Sequence, residues 1–327
     1  MIHSILVALT AQSSAYVVQP YYVVPSDFKT HPQHKAAISR TMDELQGWFH
    51  SRVGTSFNVR PLIEVKSPKT YVAMRVGDNA SPEDAANKTF MPNWFGSLRE
   101  ALGGQFRSKQ VSVIFAAGGG GYSTGVISGD DSGVAVIGDW YLEAESGIKD
   151  PMAIAAPANQ KRTLPTGVLA SRMGQAFGLL QPEGLSGMSL VGGFQAYPNT
   201  KLMHHEALIL RNSPFFGYEG GDPGVPRISW DSADRGVWGD TYYVLASGLS
   251  NNDMVEVSWM GKPTSNENAT IKQVSVFVSF DGMDENRGRI KVPTGAGNGF
   301  IRLWRGAQKS NMVTVNFLSP EQAKPKS

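Results

Sequence analysis

The chain contains no cysteine. That excludes disulfide bonds, thiolate metal centres and cysteine nucleophiles together, but leaves the compartment open, since exported proteins can also lack cysteine. Histidine is scarce, with six in 327 residues, so an imidazole metal site has few places to be. Charge of one sign is lacking too. The 30 Lys and Arg nearly cancel 28 Asp and Glu, leaving a net charge of +2 with no basic run beyond pairs such as Lys161-Arg162. This argues against nucleic acid or an anionic membrane as partner. No segment beyond the N-terminal one approaches the roughly 18 apolar residues that cross a bilayer, so no membrane span is expected. What the chain has instead is 36 Gly, 19 Pro and a 41% hydrophobic fraction, the composition of a globular protein with many turns and substantial β structure.

The length suits two domains, each with its own core. The first 15 residues, "MIHSILVALTAQSSA", read as a signal peptide: an apolar stretch from Ile5 to Ala11 precedes Ser13, Ser14 and Ala15, small residues of the kind a signal peptidase reads. His3 stands where a Lys or Arg is usual, and a buried strand from Ile2 to Leu9 is the competing reading. The expected location is secreted or cell-surface, with the cytoplasm left open.

"AYVVQPYYVV" is rich in β-branched and aromatic residues and ends at Pro25, which predicts a strand. Ile38, Met42, Leu45, Trp48 and Phe49 then recur at three- and four-residue intervals, predicting a long amphipathic helix. Further strands are expected around Leu62 to Val65, in "QVSVIFAAGGGGYS" and from Val134 to Leu142, with a helix begun at Ser81-Pro82 and running, whole or broken at Pro92, to Leu102. The run Gly118 to Gly121 lacks the Lys and Ser/Thr of a phosphate loop and reads as a flexible turn or bulge. Strands alternating with helices predict an α/β or α+β layer up to about residue 220.

After Gly220 to Pro226, a turn-rich linker, helical periodicity disappears. Seven short alternating segments follow: Arg227 to Trp230, Tyr242 to Ser247, Met254 to Trp259, Val274 to Phe280, Arg289 to Val292, Phe300 to Arg305 and Val313 to Phe317. They predict an immunoglobulin-like β-sandwich over 227–320, followed by a tail at 321–327.

The best-specified helix lies between Thr163 and Gly178, where Leu169, Met173, Ala176 and Leu180 share one face while Ser171, Gln175 and Gly178 are expected on the other. "SRMGQAFGLLQ" in this helix, the "LA" before it and the downstream "GMSLVGGFQAYPNTKL" resemble the metzincin clan of zinc peptidases. That resemblance, spanning about Tyr16 to Phe216, implies a mixed sheet with long helices and a zinc site built on HExxHxxGxxH. Carried over position by position, the three imidazole ligands become Ser171, Gln175 and Gln181, and the carboxylate that activates water becomes Arg172. A hydroxyl and two amides are poor zinc donors, and an arginine can neither accept a proton nor sit comfortably beside Zn²⁺. The motif is therefore degenerate, with no metal and no cofactor expected. Val191 and Met188 are both candidates for the methionine turn of the family.

Other chemistries are weaker still. His31 and His34 flank Pro32 and are expected to be solvated or capping, while His204, His205 and Glu206 lack a second helically spaced histidine and read as the start of a surface helix. Ser171 has neither a neighbouring base nor a G-x-S-x-G turn. Asp130, Asp131 and Asp139 read as solvated carboxylates at strand ends.

The sandwich segment resembles IPT/TIG domains in "PRISW", "YYVLASGLS", "IKVPTGAGNGFIRLWRG" and "SNMVTVNF". Such domains serve mostly as spacers or recognition modules, and Trp230, Trp238, Trp259 and Trp304 could include one exposed binding aromatic, though alternation puts such residues in the core more often. The fold expected is thus α+β, a metzincin-like domain over 16–219 followed by the all-β sandwich. The function expected is that of a non-enzyme, a pseudo-metallopeptidase acting by binding or assembly, with protein, peptide or glycan as partner. A hydrolase using non-canonical residues and a structural subunit of an extracellular assembly are the alternatives.

Overall fold

The computed structural model describes residues 16–77, 91–129, 132–149, 164–179, 190–217, 228–230, 235–246, 249–250, 253–260, 271–277, 279–280 and 287–324. The expected signal peptide and linker, Asp130-Asp131 and Gln181 lie outside them.

The α+β class is what the structure shows. The first sheet has the order β2-β1-β3-β5-β4, built from β1 (Val17–Val24), β2 (Ile63–Lys66), β3 (Gln110–Ala116), β4 (Ser123–Gly129) and β5 (Ser132–Gly138). Four strands run parallel, and β4 lies antiparallel to β5 at the edge. Successive side chains of a strand face opposite ways, so Val18, Tyr22 and Val24 of β1 enter one core and Tyr21 and Val23 another. Burial on both faces explains why this strand is apolar but for Gln19, whose amide donates to Pro61 O at 2.8 Å.

On one face lie α1 (Pro32–Val53) and α5 (Leu164–Ala176), which bury Ile38, Met42, Leu45 and Phe49, and Leu169 and Met173. Proline opens α1, and Gly54, at φ 87°, closes it in the left-handed conformation that suits glycine. The other face is covered by α2 (Tyr71–Val76) and α3 (Met91–Leu102) through Met74, Trp94, Leu98 and Leu102. The strand expected from Val134 to Leu142 stops at Gly138, because Asp139 opens α4 (Asp139–Ser146) with its carboxylate in the first turn. The helix expected before "ALILRNSPFF" is α6 (His204–Arg211), but Glu206, Ile209 and Leu210 are buried, so it is not a surface helix.

The described strands between Ser229 and Leu318 form two further sheets, β10-β9-β13-β14-β7 and β11-β12-β8-β6. The strands are β6 (Ser229–Trp230), β7 (Arg235–Val237), β8 (Thr241–Leu245), β9 (Asp253–Met260), β10 (Ile271–Phe277), β11 (Ser279–Phe280), β12 (Arg287–Lys291), β13 (Asn298–Arg305) and β14 (Gln308–Leu318). Pairing is antiparallel except between β14 and β7. The sheets share a core of Val244, Val257, Ile290, Ile301, Leu303 and Val315. Trp259 belongs to that core, the Trp304 indole donates to Glu256 at 2.7 Å and the Trp238 indole donates to Ala296 O at 2.5 Å. These three tryptophans are structural.

Strand β13 is buried on both faces. Ile301 and Leu303 face the sandwich core, while Phe300 joins the core of the α/β layer and Arg302 donates to Asn212 Oδ1 at 3.2 Å. The two layers are therefore packed together rather than tethered.

Candidate functional site

Helix α5 reaches the sheet through two glycines. A Cβ on Gly125 of β4 would sit 2.1 Å from Arg172 O, and one on Gly133 of β5 would sit 2.1 Å from Ala176 O. Only glycine permits this approach, and it places Arg172 beside the start of the edge strand. There the Arg172 Nε donates to Ser123 Oγ at 3.0 Å and Nη1 donates to Gln175 Oε1 at 2.9 Å. The Tyr141 hydroxyl donates to Gly121 O at 2.9 Å close by. Burial raises the Tyr141 pKa, while the Ser123 hydroxyl and the Arg172 charge pull it down. Arg172 and Gln175 are both half-buried, so the group presents a polar floor to solvent.

Ser171 does not share that floor. It is fully buried, and its hydroxyl donates to Val191 O at 2.9 Å. Its expected place opposite the apolar face is corrected: the turn at Leu190-Val191 covers it. Val191, one of the two candidates for the turn beneath the motif, does lie against Ser171; Met188 is outside the described residues. Gly178 ends the helix at φ 109°, with Leu179 N–H donating to Gly174 O at 2.9 Å and Gly178 N–H to Gln175 O at 3.0 Å. That glycine is explained by the cap alone.

Zinc does not fit the donors in this arrangement. The Ser171 hydroxyl is committed to a carbonyl, the Gln175 carbonyl is committed to a guanidinium, and Arg172 brings a fixed positive charge to the same place. Among the described residues no group of three His, Asp or Glu side chains could hold a metal ion.

Two carboxylates have roles that the sequence hid. Glu206 is buried and accepts from Leu190 N–H at 3.0 Å and Met203 N–H at 2.8 Å, which fastens the Val191 turn to α6. Burial raises its pKa to about 7 against the pull of the Met203, Leu190 and Val191 amides. Asp139 is buried rather than solvated, and its Oδ1 accepts from Gly120 N–H at 2.5 Å. Desolvation raises its pKa to about 6, opposed by backbone amides and by the Arg75 charge. The glycine run is a turn, as expected, and a tied one: Gly118 O accepts from Arg75, and a Cβ on Gly119 would meet the Trp94 ring at 2.3 Å.

Asp139 also lines a small cleft with Tyr22, His31, His34 and Glu143. His34 is not solvated, since its Nδ1 pairs with the Tyr22 hydroxyl at 2.8 Å and its Nε2 lies 3.3 Å from Ile148 O. A larger cleft opens where the layers meet, at the far end of β4. Ile127, Phe177, Ile209, Phe215 and Met312 line it.

No family model matches the chain, and the comparison with curated proteins gives no match. Among solved structures, the chain is similar over 93% of its length to catalytic inactive OgpA from Akkermansia muciniphila in complex with an O-glycopeptide substrate, at 14% identity, 94% coverage of that chain and a TM-score of 0.44. Wild-type OgpA from the same organism matches with the same identity and coverages and a TM-score of 0.39. A marsupial T cell receptor matches 32% of this chain and 57% of its own, at 15% identity and a TM-score of 0.21. The expectation that this chain is a non-enzyme is not upheld: the OgpA structures are of a protein with a substrate and a catalytic inactive form, and at these identities and TM-scores they give this chain no role of its own. No residue role carries over at such identities.

Proposed function

We propose that this chain is a peptidase-related hydrolase that seats an extended peptide along the free edge of β4, and that it cleaves through residues other than a zinc triad. One observation carries the reading. Strand β4 pairs only with β5, so one row of its backbone donors and acceptors has no strand partner among the described residues. The open row runs beside the polar floor of Arg172 and Gln175 at one end and the larger cleft at the other.

Strand addition supplies main-chain hydrogen bonds to any sequence, and the flanking side chains supply selection. Peptides and O-glycosylated peptides are the ligands to offer. The test is hydrogen exchange across Ser123–Gly129 with and without peptide, paired with a cleavage assay on peptide and O-glycopeptide substrates. The reading expects slowed exchange in β4 and cleavage that persists in the presence of a chelator. Unchanged exchange with every peptide would remove it; cleavage abolished by chelation would return the catalysis to a metal.

A further inference from the structure

We propose that the peptide seated on β4 runs antiparallel to it, with a carboxylate held by Arg172 and an apolar side chain, about four residues earlier in the peptide, in the cleft beside Ile127. This rests on the strand-addition reading above and adds polarity and sequence preference to it.

The carboxylate follows from how Arg172 is used. A guanidinium has five N–H donors, and here Nε and Nη1 are engaged by Ser123 and Gln175, both neutral. No carboxylate pairs with Arg172 among the described residues. The two bonds hold the planar group in one orientation and leave the Nη2 edge uncommitted. A half-buried, fixed guanidinium without a counter-charge is a receptor for a carboxylate, which it can meet with two parallel bonds.

Direction follows from charge and register. Arg172 lies at the Ser123 end of β4, and an added antiparallel strand brings its carboxyl end there. A parallel strand would bring its amino end, and with it a positive charge, to the guanidinium. The other end follows from the pleat. Ser123, Gly125 and Ile127 share the face turned to α5, since Gly125 touches Arg172 and Ile127 lines the larger cleft. Ser123 and Ile127 are roughly 13 Å apart along a strand at about 3.3 Å per residue. A ligand residue opposite Ser123 and one four places earlier would therefore face α5 together. The second meets Ile127, Phe177, Phe215 and Met312, apolar side chains in a lining that also holds Ser132, Ser213 and Thr314, and they suit an aliphatic or aromatic side chain.

The experiment uses the full chain and a six-residue peptide with leucine at its second place, fluorescently labelled at the amino end. Three forms are compared by anisotropy: the free acid, its amide, and an amide ending in aspartate, which separates a main-chain carboxylate from a side-chain one. The free acid or the aspartate form should bind wild type about tenfold or more tightly than the plain amide, as a charged bidentate pair does. That preference should vanish in Arg172→Gln and survive in part in Arg172→Lys; replacing leucine by serine should weaken binding by about tenfold. The comparison of acid and amide needs only wild-type protein, so it stands even if a variant misfolds. Equal binding of all three forms, with β4 exchange slowed, overturns this inference and leaves strand addition intact. Absence of any slowing in β4 overturns both.

Discussion

Ser171 and Glu206 grip the same turn from two helices: the Ser171 hydroxyl donates to Val191 O at 2.9 Å while the Glu206 carboxylate accepts from Leu190 N–H at 3.0 Å. The turn therefore sits where α5 and α6 both need it, and the shape of the region is held by hydrogen bonds. Replacing Glu206 by Ala would leave the buried Leu190 amide without its acceptor and uncap α6. We expect a loss of about 2–4 kcal/mol in thermal or denaturant unfolding, against under about 1.5 kcal/mol for Ser171→Ala. A neutral result for Glu206→Ala would show that the turn does not depend on it.

The pH dependence of stability has a defined sign. Asp139 and Glu206 are raised to about 6 and about 7 in the folded chain from 3.8 and 4.5. The native state thus holds their protons more tightly than the unfolded chain does. The stability they contribute is full below about pH 4 and is lost as pH rises through about 6 and 7. The melting temperature of wild type, relative to the double variant Asp139→Asn, Glu206→Gln, should rise as pH falls from 8 to 5. An opposite trend in that difference would refute the shifts.

At Gly125 and Gly133 any side chain must push α5 off the sheet, because each would place a Cβ 2.1 Å from a helix carbonyl oxygen. Gly125→Ala and Gly133→Ala should each cost several kcal/mol, beyond the range of overpacking that cores usually absorb. The Gly125 variant should also disturb the contact between Arg172 and Ser123 and so weaken peptide binding. Melting curves and the anisotropy assay read the two effects separately.

Phe300 is 4% exposed and packs in the core of the α/β layer, although it belongs to a strand of the sandwich. Phe300→Ala should cost about 3–5 kcal/mol, as loss of a buried aromatic ring does. It should also split a single calorimetric transition into two. A single transition at an unchanged temperature would show that the layers are joined by other contacts.

Much of this architecture was legible in the sequence, and the exceptions have physical causes. Strand β1, α1 and α5 declare themselves through apolar spacing, because each buries a broad face. Strand β4 did not, since "STGVISG" has one free edge and glycine where α5 passes, so neither alternation nor β-propensity marks it. In "GDWYLEAE" the aromatic run suits strand and helix alike, and Asp139 decides for helix by opening the first turn. The floor of the site was read in part. Arg172 and Gln175 are adjacent as helical spacing implies, but Ser171 turned inward, and only the resemblance, through its methionine turn at Val191 or Met188, pointed to a turn some 20 residues on lying against it. Glu206 was legible only as a helix-start residue, and its reach to Leu190 is a tertiary contact with no local signal.

Because β13 is committed on both faces, the chain has no clean place to be divided. A fragment ending before residue 228 would leave Phe177 and Phe215 uncovered, and a fragment beginning there would carry Phe300 and Met312 on an open sheet face. Each half made alone would be sticky, so the sandwich serves as a lid whose removal invites self-association.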